Sequence, residues 1–368
     1  MKTQDFTNDD LSYGCKSPYY YLSKYRSGLM GLAILWIVWF HSSVELDFFH
    51  ISFINKTFSF LKDIGYGGVD VFLLVSGMGI YNSLEKNDIS KYIKNRIKRI
   101  TPVWWSFLII SVLLGHFFFH IHFSKLEILG FATFTGFWID MSNQGNWYVY
   151  AIMLFYLVSP IFYSLIKNSK NRLLMTIVLV AVALLVSVPF IGIFKLIVFS
   201  RVPIFLIGMF VSSSLKNVPI KRYQWVIILL SFIVGLFVLF VFYKYLSDYL
   251  WPYGLWWYPF IVIAPTLSLL VSKTFDILHR VIHPILYLLS ILGKSSLEIL
   301  LVSDYLFANF SKTGVTVISE RITSVFVVLI STIIGVIYHF CIDYTLKRID
   351  SIINKWRRND DNVKRISK

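Results

Sequence analysis

The 368-residue chain is 57% hydrophobic and 15% charged, with a mean hydropathy of +0.67, which excludes an ordinary water-soluble domain. The formal net charge of +15 would suit nucleic acid, but the basic residues stand in short clusters between apolar runs and form no soluble basic patch, so no nucleic-acid partner is expected. Cys15 and Cys341 are the two cysteines, too few for a disulfide framework or a thiolate metal site, and no metal is expected.

The first 24 residues are polar and mixed in charge, without the pattern of a cleaved signal peptide, so the first apolar run reads as a retained span. Apolar runs of spanning length lie at about 27–49, 61–82, 101–120, 147–166, 173–191, 197–215, 223–243, 255–272, 286–310 and 322–345. They are continuous and do not alternate with period two, which predicts helices and not a barrel. The expected fold is an all-α, polytopic integral membrane protein of about ten transmembrane helices. It divides into an N-terminal segment 1–26, a transmembrane domain 27–345 and a basic tail 346–368. From Asn354 the tail has a composition suited to disorder or to contact with anionic lipid.

Charge placement orients the chain. Lys24 and Arg26 precede the first span; Lys91, Arg96 and Arg99 separate the second and third; Lys167, Lys170 and Arg172 separate the fourth and fifth. Lys216, Lys221 and Arg222, then Lys273 and Arg280, then Lys347 and Arg348 follow the sixth, eighth and tenth. With ten spans all fall on one side, predicting a multi-pass plasma-membrane protein with both termini cytoplasmic.

Ionisable residues within spans are costly in hydrocarbon and are the first functional candidates. His41, past the middle of the first span, could shuttle a proton at a pKa near working pH, or simply hydrogen-bond a neighbouring helix. Asp70 follows a glycine-rich stretch, Gly65-Tyr-Gly-Gly, that permits close helix approach or a broken helix whose end Asp70 caps. Arg96 and Arg99 are about one turn apart before Pro102, Trp104 and Trp105, with Pro102 read as a helix start. They could bind phosphate or serve as ordinary positive-inside charge. Glu298 and Asp304 could orient a hydroxyl or form interhelical bonds. Glu45, one turn after His41, could fix its tautomer or be hydrated. His116, His120 and His122 have a spacing that could hold metal, but no carboxylate accompanies them at helical spacing.

Taken in order, the segments around His41, around Asp70 to Ser76, and around Arg96 and Arg99 resemble the acyltransferase-3 family of membrane acyltransferases. Three more stretches extend the resemblance: Trp147-Tyr-Val-Tyr150 running to Tyr156 and Pro160, Arg201-Val-Pro203-Ile-Phe205-Leu-Ile-Gly208, and Gly293-Lys-Ser-Ser296-Leu-Glu298. It covers roughly residues 20–345. The resemblance implies transfer of an acyl group, commonly acetyl from acetyl-CoA, to a hydroxyl of a cell-surface glycan or lipid-linked sugar. His41 matches the family's first-span histidine and is the expected general base. Arg26, Arg96, Arg99 and Arg201 are expected to hold the donor, while Asp70, Ser76, Trp147 and Glu298 shape and support the cavity.

The chain departs from the family pattern at Met30, where an arginine is usual eleven residues before the histidine. Arg26 lies one turn earlier, about 22 Å along a helix from His41. Ile152 and Met153 replace a glutamate pair, and Leu300 and Ser303 stand where Tyr and His are common. A transporter of a glycan precursor, with the same polar residues lining its path, and a non-catalytic subunit of a polysaccharide assembly complex are the competing readings. Every span keeps a face that could meet lipid or a second copy, so a homodimer is compatible with the pattern.

Overall fold

A computed structural model describes residues 16–42, 52–140, 146–310 and 320–366. Among them every regular element is a helix. In chain order these are α1 (Pro18–Lys24), α2 (Arg26–His41), α3 (Ser52–Asp63), α4 (Gly68–Lys86), α5 (Ile89–Phe118), α6 (Lys125–Ala132), α7 (Trp147–Asn168) and α8 (Arg172–Ser187). They continue with α9 (Leu196–Phe199), α10 (Val202–Ser214), α11 (Arg222–Tyr245), α12 (Ser247–Leu250), α13 (Phe260–Leu278), α14 (His283–Lys294), α15 (Ser296–Phe310) and α16 (Glu320–Ile366).

Among the described residues, eight helical segments are long and apolar enough to cross a bilayer, and α14 with α15 would make a ninth if taken as one span. The fold is therefore all-α and polytopic, as the apolar runs predict. The first span is shorter than expected within the described residues: α2 is apolar but has 16 residues and ends at His41. The remainder of the expected run, with Glu45, lies outside the described residues.

Three local features differ from the sequence expectation. Pro102 sits inside α5 and does not start it, because Asp88 caps the helix fourteen residues earlier by accepting a bond from the Lys91 amide. The expected ninth span is broken: α14 and α15 meet at 70°, with Ser295 between them at φ −91°, ψ 11°, outside α-helical geometry. The tail is helical, since α16 runs without interruption through Ile366.

Helix α2 stands in the middle of the bundle because its small residues let partners touch its backbone. A Cβ at Gly31 would overlap the Leu289 carbonyl of α14, and one at Gly293 of α14 would overlap the Ser27 carbonyl of α2. Glycines on both faces of the crossing replace side-chain interdigitation by direct backbone contact, the small-residue packing used in lipid. The α4–α10 crossing is built the same way, with Gly77 against the Phe205 carbonyl and Gly208 against the Leu74 carbonyl. The glycines of three sequence motifs thus have a packing role.

The N-terminal helix α1 is tied to the end of α13. Asp276 accepts from Lys16 Nζ and Lys24 Nζ at 2.8 Å each and from the Tyr25 hydroxyl at 2.9 Å. Burial alone would lower the pKa of Lys24, but its bonds to Asp276, Tyr20 and Tyr25 outweigh this and raise it above the usual lysine value. Since Lys24 leads directly into α2, this anchor fixes where Arg26 enters the bundle.

Candidate active site

Two cavities lie end to end inside the bundle. One, at the end where α2 begins, is lined by Arg26 and Met30 of α2, Phe72, Ser76 and Ile80 of α4, Arg96, Arg99 and Ile100 of α5, residues of α7, and Ser296, Leu297 and Leu300 of α15. It is narrow, about 40 Å³. The other, at the end where α2 stops, is about 560 Å³ and is lined by His41, Arg201 and Asp304 among aromatic side chains from α7 and the segment 194–257.

The narrow cavity gathers three of the four arginines expected to hold a donor, Arg26, Arg96 and Arg99. They stand close enough to repel one another, and no described carboxylate lines the cavity with them. The Arg96 guanidinium lies over the rings of Tyr92 and Tyr156 at 5.3 and 5.4 Å, while its Nε is buried without a hydrogen-bond partner. Arg26 fits because Gly79 opposite it has no side chain: a Cβ there would lie 3.0 Å from Arg26 Nη2. The first turn of α15 also faces this cavity through Ser296 and Leu297, so the break at Ser295 presents a helix N-terminus, with its unpaired amides and positive dipole end, to the arginine cluster. Together they make a strongly electropositive recess in low-dielectric surroundings, suited to phosphate or another polyanion. Met30 lines the same recess as Arg26. The guanidinium missing at position 30 is therefore supplied one turn earlier.

Arg201 is not part of this cluster. It caps α10 from the far cavity, 1% exposed, and its Nε lies 3.4 Å from Asp70 Oδ1, which is 0% exposed. Its guanidinium is sandwiched between the rings of Trp147 and Trp257 at 5.1 and 5.0 Å, and Nη1 donates to the Ile197 carbonyl at 2.8 Å. Cation–π contact and ion pairing offset the cost of burying the charge. Nη2 is likewise buried and has no hydrogen-bond partner, at the edge of the cavity that His41 lines. Asp70 stands in the first turn of α4 but makes no capping bond; it serves Arg201 instead. Trp147 is placed as a wall of this cavity, and Ser76 as a wall of the arginine recess.

His41 ends α2 with its ring reached by solvent from the larger cavity although protein surrounds it. Among the described residues, the carboxylate that interacts with it electrostatically is Asp304 of α15. Asp304 is held in turn by the Asn146 backbone amide, 3.1 Å from Oδ2, and the Asn146 side-chain oxygen is buried without a partner. An imidazole beside a fixed carboxylate, with room for a substrate, is chemically able to accept and return a proton.

Glu298 faces neither cavity. It is 4% exposed and bonds His339 Nδ1 of α16 at 2.9 Å, so the interhelical reading of this glutamate describes its contacts. The His116 and His122 rings are 5.3 Å apart, but no group of three or more His, Cys, Asp or Glu able to hold a metal occurs among the described residues.

Asn146, Tyr148, Trp251 and Trp257 line the larger cavity without having been singled out by sequence. A signal was present for two helices. On α15 the series Ser296, Leu300, Asp304, and on α7 the series Tyr148, Ile152, Tyr156, recur every four residues and so share one face. Each face runs from the arginine recess to the histidine cavity.

Comparison of the chain with curated proteins and with solved structures gave no match. The model of the acyltransferase-3 family, described as an acyltransferase domain, matches residues 27–341, which takes in the lining of both cavities except Arg26 and nearly all the spanning helices. The chain belongs to the acyltransferase-3 family and is a membrane acyltransferase.

Proposed function

We propose that the protein moves a short acyl group, acetyl in the simplest case, from acyl-CoA to a hydroxyl of a cell-surface polysaccharide or lipid-linked sugar. The observation that carries this reading is the end-to-end arrangement of an arginine recess and a histidine cavity, which meet at Tyr148 and Leu300. The phosphates of acetyl-CoA bind Arg26, Arg96 and Arg99 at the cytoplasmic face of the plasma membrane, on the same side as both termini. The pantetheine arm follows the α2, α7 and α15 faces toward His41.

His41 takes the proton of the acceptor hydroxyl as its oxygen attacks the thioester carbonyl. The tetrahedral oxyanion is met by the guanidinium of Arg201. Collapse breaks the carbon–sulfur bond, and the leaving thiolate takes the proton back from His41, giving the ester and CoA. Asp304 orients the imidazole and stabilises its protonated form. No acyl-enzyme and no metal is required. The aromatic walls of the cavity, Trp147, Trp251 and Trp257, suit the apolar faces of a sugar ring.

The test is transfer of labelled acetyl from acetyl-CoA to membrane glycan by the purified protein and by His41→Ala. Label in the wild type only is expected. Equal label in both, or no label in either while a solute crosses protein-containing vesicles, would replace this reading by a transporter.

A further inference from the structure

Among the described residues, two side chains line both cavities, Tyr148 of α7 and Leu300 of α15. Leu300 lies one helical turn from Ser296 in the arginine recess and one turn from Asp304 in the histidine cavity. Tyr148 sits opposite, backed by the ring of Phe72 with centroids 6.1 Å apart. Anything passing from recess to cavity therefore passes between a phenol ring and a leucine.

The dimensions on the two sides differ greatly. The larger cavity, about 560 Å³, has room for an acceptor and an acyl group together. The recess, about 40 Å³, holds little more than a water molecule or two, so an acyl-pantetheine stem fills it only when its walls give way. Met30 is the wall best able to do so, being unbranched and freely rotating. Leu300 is 7% exposed and branched, and packs in the core. In a thioester the acyl chain lies ahead of the sulfur as the arm advances from the arginine end. The group that must clear Tyr148 and Leu300 is thus the acyl chain itself, and what is measured there is its width next to the carbonyl. The passage is apolar on the leucine side and aromatic on the other, and the nearest cations, Arg26 and Arg99, stand behind it in the recess, so an acyl chain ending in a carboxylate would have to leave those charges and shed its water to pass.

We propose that Tyr148 and Leu300 form a partition that selects the acyl group by cross-section and charge, admitting short, unbranched, uncharged chains and rejecting α-branched and carboxylated ones. The proposal rests on the reading of the arginine recess as an acyl-CoA site. It assigns specificity to Leu300, a position where this chain departs from the aromatic residue common in its family.

The experiment uses the full-length protein in lipid nanodiscs with membrane glycan as acceptor and acetyl-CoA, isobutyryl-CoA and succinyl-CoA as donors, following release of the CoA thiol. Wild type is expected to turn over acetyl-CoA and to discriminate against the other two. Leu300→Ala should raise kcat/KM for isobutyryl-CoA relative to acetyl-CoA by about tenfold, the scale at which methylene-sized changes in a pocket discriminate substrates, and should leave succinyl-CoA rejected. Leu300→Phe should slow acetyl transfer, because the larger side chain narrows the passage. If Leu300→Ala unfolds, Leu300→Val carries the same test with a smaller shift in the same direction. An unchanged isobutyryl to acetyl ratio in a folded variant, or succinyl-CoA used as well as acetyl-CoA, overturns the partition. Absence of thiol release from every donor by the wild type overturns the acyl-CoA reading beneath it.

Discussion

Arg201 Nε and Asp70 Oδ1 stand 3.4 Å apart with both side chains sealed from solvent, joining the start of α10 to the start of α4 next to the histidine cavity. Both carboxylate oxygens of Asp70 lack a hydrogen bond, so the pair is held by charge and by the Trp147 and Trp257 rings. Removing one member leaves the other as an isolated buried charge. Asp70→Asn and Arg201→Gln are each expected to cost about 3–5 kcal/mol. The double replacement Asp70→Leu/Arg201→Met should cost less than either. Thermal unfolding in one detergent measures all three, and a double variant as unstable as the sum of the singles would contradict the pairing.

The backbone contacts of α2 with α14 make a second prediction. Gly31→Ala and Gly293→Ala must push the helices apart, for about 1–3 kcal/mol each, and Gly293→Ala should also impair donor binding because it moves the break that aims α15. Gly28→Ala is the control: its nearest neighbour is the Phe275 ring at 3.3 Å, a side chain with some room to adjust, so a smaller loss is expected.

Arg26 is expected to carry the role that position 30 cannot. Arg26→Ala should raise KM for acetyl-CoA by roughly 10- to 100-fold, the loss of one charged hydrogen-bonding partner, with little change in kcat. Arg26→Met/Met30→Arg should recover much of it, since both positions line the recess. Unaltered KM in Arg26→Ala would remove this residue from the donor site.

For the chemical step, His41→Ala should lower kcat by at least about 100-fold, the usual share of a general base. Asp304→Asn should lower kcat by less and leave KM for the donor unchanged, because the residue acts through His41. A larger effect of Asp304→Asn than of His41→Ala on single-turnover rates would reverse the assigned roles.

Glu298 and His339 are expected to matter for stability alone. His339→Ala leaves Glu298 buried without its partner and should cost about 1–3 kcal/mol, read as a lower unfolding temperature with KM for acetyl-CoA unmoved. A raised KM at full stability would return Glu298 to the cavity.

These predictions also mark what a sequence reading can reach. Apolar run length sets the helices, and the ionisable residues His41, Asp70 and Arg201 announce themselves because hydrocarbon tolerates so few. Arg26, Arg96 and Arg99 are expected together from the resemblance, but the space that admits Arg26 is not legible, since it depends on Gly79 in a third helix. Pro102 was misplaced because a proline after a basic cluster reads as a helix start, whereas the stronger signal was the Asp88 cap. The break at Ser295 carries no proline and no strong turn signature; it is imposed by α14 lying backbone-to-backbone on α2. Glu45 was weighed as the partner of His41, while the carboxylate that interacts with it among the described residues is Asp304, about 260 positions away in sequence and brought close by packing alone.

The narrowness of the Tyr148 and Leu300 partition has an electrical consequence. In a polarised membrane, voltage falls where the low-dielectric barrier is thinnest, and with a hollow on either side that barrier is about one layer of side chains. A full charge crossing it would feel about 2.3 kcal/mol for every 100 mV. A neutral acyl group crosses without that work, whereas a charged one gains or loses it according to its direction, so uncharged cargo keeps transfer independent of the membrane potential.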